Sequence, residues 1–107
     1  MVVKRFDVWL INLDPTVGSE IQKTRPCVVV TPDVMNSRLA TFTVAPMTTK
    51  GRFSDVRAAC AFQGKEGHIL LDQLRTVDRS RGIKRLGRIH ASEQKEVLRI
   101  LSEMFAE

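Results

Sequence analysis

The sequence predicts a mainly β, α+β fold: a small, strongly curved, barrel-like antiparallel sheet closed by one C-terminal helix. Three observations carry this. Five short apolar segments, residues 6–13, 27–30, 39–46, 56–62 and 68–71, alternate with polar loops rich in Gly, Pro and hydroxyl residues. Only one stretch, near the C-terminus, has a long helical period. At 107 residues the chain fits one core, and no linker, repeat or low-complexity segment divides it, so residues 1–107 read as a single domain. Short strands of this number bury their apolar faces by curling together.

Each element follows from its residues. Residues 6–13 place Val8, Leu10 and Asn12 on one side of a strand and Asp7, Trp9, Ile11 and Leu13 on the other. Asp14-Pro15 ends it, because proline donates no ladder hydrogen bond. Cys27-Val28-Val29-Val30 is apolar on both faces and reads as a buried central strand. Pro32-Asp33 stops that run, and Asp33 or Thr31 is placed to cap a short turn of helix over 34–37. The third strand, 39–46, ends at Pro46. A fourth covers 56–62, a turn over 63–67 follows, and a fifth strand covers 68–71. Ser92 reads as the N-cap of the last helix. Val97, Ile100, Leu101 and Met104 form its stripe, widened by Leu98 and Phe105, and this stripe covers the sheet or takes a partner.

Net charge of +5 and a pI near 9.8 favour an anionic partner. No apolar run is long enough for a membrane helix and the start has no signal-peptide pattern, so the expected location is cytoplasmic. Cys27 and Cys60 lie in apolar contexts and read as buried thiols. No Cys-x-x-Cys or His-x-x-x-His spacing suggests a metal site. His68 and His90, single and far apart, read as surface or half-buried residues. Residues 75–88 carry Arg75, Arg79, Arg81, Lys84, Arg85 and Arg88 against Asp78. Two readings fit: a solvated face with Asp78 pairing Arg75 or Arg81, or a track for a nucleic-acid backbone. Arg75–Asp78 is read as a structural pair that pins the sheet.

Two loops hold the polar chemistry. The first runs over 14–26, with Gly18 as a position for positive φ and Lys23-Thr24-Arg25-Pro26 at its end. It sets a permanent cation, Arg25, where a loop meets a central strand, a suitable place to grip a phosphate. The second, 47–55, carries Thr48, Thr49, Lys50, Gly51, Arg52 and Phe53. Phe53 either stacks on a base or anchors the loop in the core.

Three segments together resemble the MazF/PemK toxins of bacterial toxin–antitoxin systems. They are Asp7-Val8-Trp9 with Leu13-Asp14-Pro15-Thr16-Val17-Gly18-Ser19-Glu20 and Thr24-Arg25-Pro26; Val44-Ala45-Pro46-Met47-Thr48-Thr49; and Leu70-Leu71-Asp72-Gln73-Leu74-Arg75-Thr76-Val77-Asp78. In this order they span nearly the whole chain. The resemblance implies an SH3-like barrel with added helices, a homodimer, metal-independent cleavage of single-stranded RNA with no cofactor, and neutralisation by a cognate acidic, MazE-like antitoxin. It matches Arg25 and Thr48 to the family's catalytic arginine and hydroxyl residue. Some plasmid-borne members carry an arginine two places before the Asp of the Asp-Gln segment and a histidine in the first loop. Here those places hold Leu70 and Ser19.

Cleavage in that family resembles attack by the ribose 2′-OH on its own phosphodiester, giving a 2′,3′-cyclic phosphate and a 5′-OH. The nucleophile belongs to the substrate, so the protein must align the chain, move protons and stabilise a more anionic phosphorane. Arg25 suits the charge, Thr48 fixes the phosphate, and Glu20 is the candidate carboxylate for proton transfer or a loop acid pairing Lys23 or Arg25. Gln73 reads a base edge. Ser19, Lys23, Thr49, Lys50, Arg52 and Phe53 are the remaining substrate-binding candidates. The alternatives are a non-enzymatic toxin like the CcdB type, which binds DNA gyrase, and a plain RNA-binding barrel. Neither gives the Thr-Arg-Pro and Pro-Met-Thr-Thr segments a role.

Overall fold

The computed structural model describes residues 1–51 and 54–107. Seven strands, β1 (Asp7–Asn12), β2 (Thr24–Val29), β3 (Thr41–Thr48), β4 (Arg57–Phe62), β5 (Lys65–Leu70), β6 (Arg75–Asp78) and β7 (Gly82–Arg88), form a strongly curved antiparallel sheet. A one-turn helix α1 (Asp33–Asn36) joins β2 to β3, and α2 (Ala91–Met104) ends the chain. The strand order is β4-β5-β3-β2-β1-β7, with β6 paired to β3 off this path. The expected mainly β barrel-like sheet with a C-terminal helix is therefore present as a half-barrel. Its end strands β4 and β7 do not pair, yet Phe62 of β4 lies so close to Gly87 of β7 that an added Cβ there would be 3.2 Å from the ring.

Alternation splits the core between two faces of the central strands. Val8, Val28, Ala45, Met47, Ala58 and Ile69 pack on one face against Val97 and Ile100 of α2. Trp9, Ile11, Leu13, Cys27, Val29, Phe42, Val44 and Val77 fill the other. The reading of 27–30 as apolar on both sides thus describes a strand buried on both sides. Leu98 and Phe105, expected to widen the α2 stripe, are exposed instead. The stripe that meets the sheet is Val97, Ile100, Leu101 and Met104.

Pro46 does not end the third strand. It lies within β3 opposite Cys27. The N–H of Val30 donates to the Thr43 carbonyl at 2.9 Å, so Thr43 faces β2, and alternation turns the nitrogen of Pro46 away from β2. On that far side β3 pairs with β6 through Val44 and with β5 from Met47 onward. The missing N–H falls in the gap between these two partners, where no ladder bond is needed.

Other expectations are corrected by local chemistry. The turn after β4 is only Gln63-Gly64, both at positive φ (51° and 76°), which matches a tight two-residue hairpin turn, so Lys65, Glu66 and Gly67 belong to β5. Neither Thr31 nor Asp33 caps α1. Pro32 holds the cap position, while the Thr31 hydroxyl donates to buried Asn36 Oδ1 at 2.7 Å. His90, not Ser92, is the N-cap of α2. Its N–H donates to Glu93 Oε1 at 2.9 Å, and Glu93 Oε2 accepts the edge N–H of Ala61 in β4 at 2.8 Å. One carboxylate thus ties the helix start to an otherwise open strand edge.

The basic run 75–88 is mostly structural and contains β6 and β7, which alternation did not reveal. Arg75 donates to the Leu13 carbonyl, Arg79 to that of Leu39, and Arg81 to those of Asn12 and Asp14. Arg85 pairs with buried Asp7 at 3.2 Å, and Arg88 donates to the Arg5 carbonyl. The expected Arg–Asp pair is not formed. Asp78 instead accepts the N–H of Ser80 at 2.8 Å and caps the turn between β6 and β7.

Candidate active site

The first loop is drawn into a neck. Leu13 N–H donates to the Lys23 carbonyl at 3.1 Å and Lys23 N–H to Asp14 Oδ1 at 3.0 Å. Arg75 and Arg81 grip the carbonyls of residues 12–14 from outside. Gln73 Oε1 accepts the Ile21 N–H at 2.7 Å. The end of the loop, and with it Arg25, is therefore set on a fixed scaffold.

The fold brings the two principal candidates into one cleft. The β2–β3 ladder ends where Cys27 is opposite Pro46; carried two residues on, its register brings Arg25 to the level of Thr48, on the face that carries Cys27. Both are half-buried, and with Thr49, Met47, Phe62 and Lys65 they line a cleft of about 250 Å³. Arg25 Nε donates to the Gln22 carbonyl at 2.9 Å, and the two terminal nitrogens of the fork have no hydrogen-bond partner among the described residues. Thr48 Oγ1 accepts the Lys50 N–H at 3.1 Å and keeps its proton to donate. Burial pushes the Cys27 thiol up to about 12, against the smaller opposing effect of the Arg25 and Arg75 charges.

Glu20, Ser19 and Gln73 line a second cleft of about 540 Å³, with Pro15, Asp72 and Arg75. It adjoins the first where Pro46 is followed by Met47. Glu20 pairs with neither Lys23 nor Arg25 among the described residues. Its Oε1 accepts the Val17 N–H at 2.6 Å, and its second oxygen has no hydrogen-bond partner among the described residues. With its carbonyl engaged, Gln73 has its amide N–H groups to offer a base. The side chains of Lys23 and Lys50 are exposed. Arg52 and Phe53 lie outside the described residues.

Residues assigned no role in the site from sequence alone gather near Thr48. His68 of β5 is directly opposite Thr48, and its Nδ1 is buried with no hydrogen-bond partner among the described residues. Leu70 is 2% exposed and opposite Arg57 of β4, which forks onto Asp72. Gly67 lets β5 approach the Thr48 backbone closely. No local pattern could reveal these neighbours, since they come from strands paired only by the tertiary fold. Among the described residues, no three His, Cys, Asp or Glu side chains are grouped as for a metal ion.

The chain is similar to known proteins over nearly all its length. Residues 4–105 match the family described as PemK-like, MazF-like toxin of type II toxin–antitoxin systems. It is 39% identical over 106 residues to endoribonuclease PemK of Escherichia coli, covering 94% of this chain and 80% of that one. It is 34% identical over 87 residues to endoribonuclease EndoA of Bacillus subtilis (strain 168), covering 76% and 75%. In fold it matches crystalline MazF from Deinococcus radiodurans with a TM-score of 0.85 at 24% identity, over 97% of this chain and 96% of that one. A mycobacterial endoribonuclease in complex with its cognate antitoxin gives a TM-score of 0.80 at 17% identity, over 94% and 92%. The motifs, the half-barrel with its terminal helix and the match over residues 4–105 agree: this chain belongs to the PemK-like, MazF-like family of toxins of type II toxin–antitoxin systems.

Proposed function

We propose that this toxin is an endoribonuclease that cleaves single-stranded RNA through the ribose 2′-OH, leaving a 2′,3′-cyclic phosphate and a 5′-OH. The observation that carries the reading is that Arg25 of β2 and Thr48 of β3 line one cleft at the mouth of the first loop. The Arg25 fork holds two phosphate oxygens and stabilises the charge that grows in the phosphorane, while Thr48 donates to a third contact and fixes the in-line geometry. Glu20, with one oxygen engaged by Val17, is the carboxylate offered for proton transfer. Ser19, Gln73 and Thr49 face the flanking nucleotides, and Lys23, Lys50 and Arg52 contribute positive charge along the strand, with Phe53 against a base. The nucleophile is part of the substrate, so the step needs no metal and DNA is not cut. The chain acts as a homodimer in the cytoplasm and is neutralised by an acidic antitoxin whose disordered segment lies across the basic face.

The test is incubation of the pure protein with a long single-stranded RNA in EDTA, beside Arg25→Ala. The expected result is discrete cuts bearing 5′-OH ends, slowed roughly 10²–10³-fold in the variant. A folded, antitoxin-free protein that leaves several diverse RNAs intact would overturn the assignment.

A further inference from the structure

Arg57 opens β4 directly opposite Leu70 of β5, and Leu70 is two residues beyond His68, the cross-strand partner of Thr48. Opposed residues share a face, and so do alternate residues of one strand. Arg57 therefore lies on the face that carries Thr48 and Arg25. Its guanidinium is aimed by Asp72: Nε reaches Oδ1 and Nη2 reaches Oδ2, each at 3.2 Å. That fork uses two of its three nitrogens. The third, Nη1, has no hydrogen-bond partner among the described residues and is directed at Gly51. A Cβ added to Gly51 would lie 3.1 Å from Nη1 and 3.9 Å from the Thr48 methyl, which bounds the gap between those two groups at about 7 Å. Nη1 and the Thr48 methyl are thus at most about 7 Å apart, so a phosphate beside Gly51 can reach the Nη1 donors and, past the methyl, the Thr48 hydroxyl. Gly51 also has φ of +113°, and its missing side chain keeps the space clear.

We propose that Arg57 is a second phosphate-binding cation of this site, oriented by Asp72 and contacting the scissile phosphate through Nη1 beside Thr48. The inference rests on the endoribonuclease reading above. A partly exposed Arg–Asp pair adds little to stability by itself. Its geometric effect is larger: the carboxylate locks the planar fork and leaves one pair of N–H donors at the open space beside Gly51. Arg57 transfers no proton. It adds a fixed positive charge where the phosphorane becomes more anionic.

The experiment uses Arg57→Gln, which retains a donor for Asp72, and Arg57→Ala, with circular dichroism as the folding control. Binding is followed by anisotropy against salt on a single-stranded RNA carrying 2′-deoxy at the mapped scissile residue, and single-turnover cleavage on its all-ribose counterpart. For Arg57→Gln, cleavage falls roughly 10²-fold or more, and the slope of log affinity against log salt drops by about 0.7, the loss of one phosphate contact. Should Arg57→Ala fail to fold, Arg57→Gln alone decides. A variant that matches wild type in both readouts overturns the assignment of Arg57 and leaves the nuclease reading standing. Slower cleavage with an unchanged salt slope also overturns it, reducing Arg57 to a support for Asp72. Wild-type protein that neither binds nor cuts RNA removes the nuclease reading and this proposal with it.

Discussion

Gly67→Ala is the substitution that most directly joins packing to activity in this protein. Gly67 sits in β5 beside the end of β3. An added Cβ would lie 2.2 Å from the Thr48 carbonyl oxygen, 3.0 Å from its carbon and 3.2 Å from Thr49 Cα. All three are backbone atoms, so no side chain can turn aside. Ordinary contact begins near 3.4 Å, and the strands must part by about 1.2 Å to reach it. Forcing a methyl into a packed contact costs about 1–3 kcal/mol. The displacement falls on Thr48 itself, and a misplacement of roughly 1 Å can slow a positioned reaction about 10²-fold. Urea unfolding followed by the fluorescence of Trp9, the single tryptophan, measures the first effect. Single-turnover RNA cleavage by fully folded variant measures the second. Stability within 0.5 kcal/mol of wild type would refute the steric reasoning. Normal cleavage by a destabilised variant would refute the dependence on the position of Thr48.

Two further outcomes are expected. Asp7 is buried and accepts the Lys4 N–H at 3.0 Å while pairing with Arg85, so Asp7→Ala should lower the urea-derived stability by about 1–3 kcal/mol and Asp7→Asn by less, since the amide oxygen still accepts; equal losses would contradict the role of that acceptor. Burial pushes the Cys27 thiol to about 12, above its value near 9 in the unfolded chain, so above pH 9 the unfolded state loses the proton first and stability falls as pH rises, with a slope approaching about 1.4 kcal/mol per pH unit. Cys27→Ala should remove that component between pH 8 and 10.5, and an unchanged slope would show that the thiol does not contribute.

Sequence pattern was informative where one element's residues decide its environment. Cys27-Val28-Val29-Val30 has no polar face to offer water, so β2 had to be central. Val97, Ile100, Leu101 and Met104 recur at the helical period, which announced a helix with one apolar stripe for the sheet or a partner, and the structure lays it on the sheet. The pattern misled where a residue's partner comes from far along the chain. Pro46 looked like a stop, because nothing local tells that β3 changes partner beside its nitrogen. The cations of 75–88 looked like a solvated or nucleic-acid-binding face, yet their partners are carbonyls and a carboxylate from residues 5–14 and 39.

The same division runs through the candidate site. The Thr-Arg-Pro and Pro-Met-Thr-Thr segments alone nominated Arg25 and Thr48, since a fixed cation and a hydroxyl at loop–strand junctions suit a phosphate. Only the tertiary fold could bring them to one cleft, set His68 opposite Thr48 and turn Arg57 toward Gly51. Cross-strand pairing joins residues distant in the chain, such as Thr48 and His68, through backbone hydrogen bonds that every sequence can make. The identity of the neighbours is therefore fixed by the whole sheet's packing.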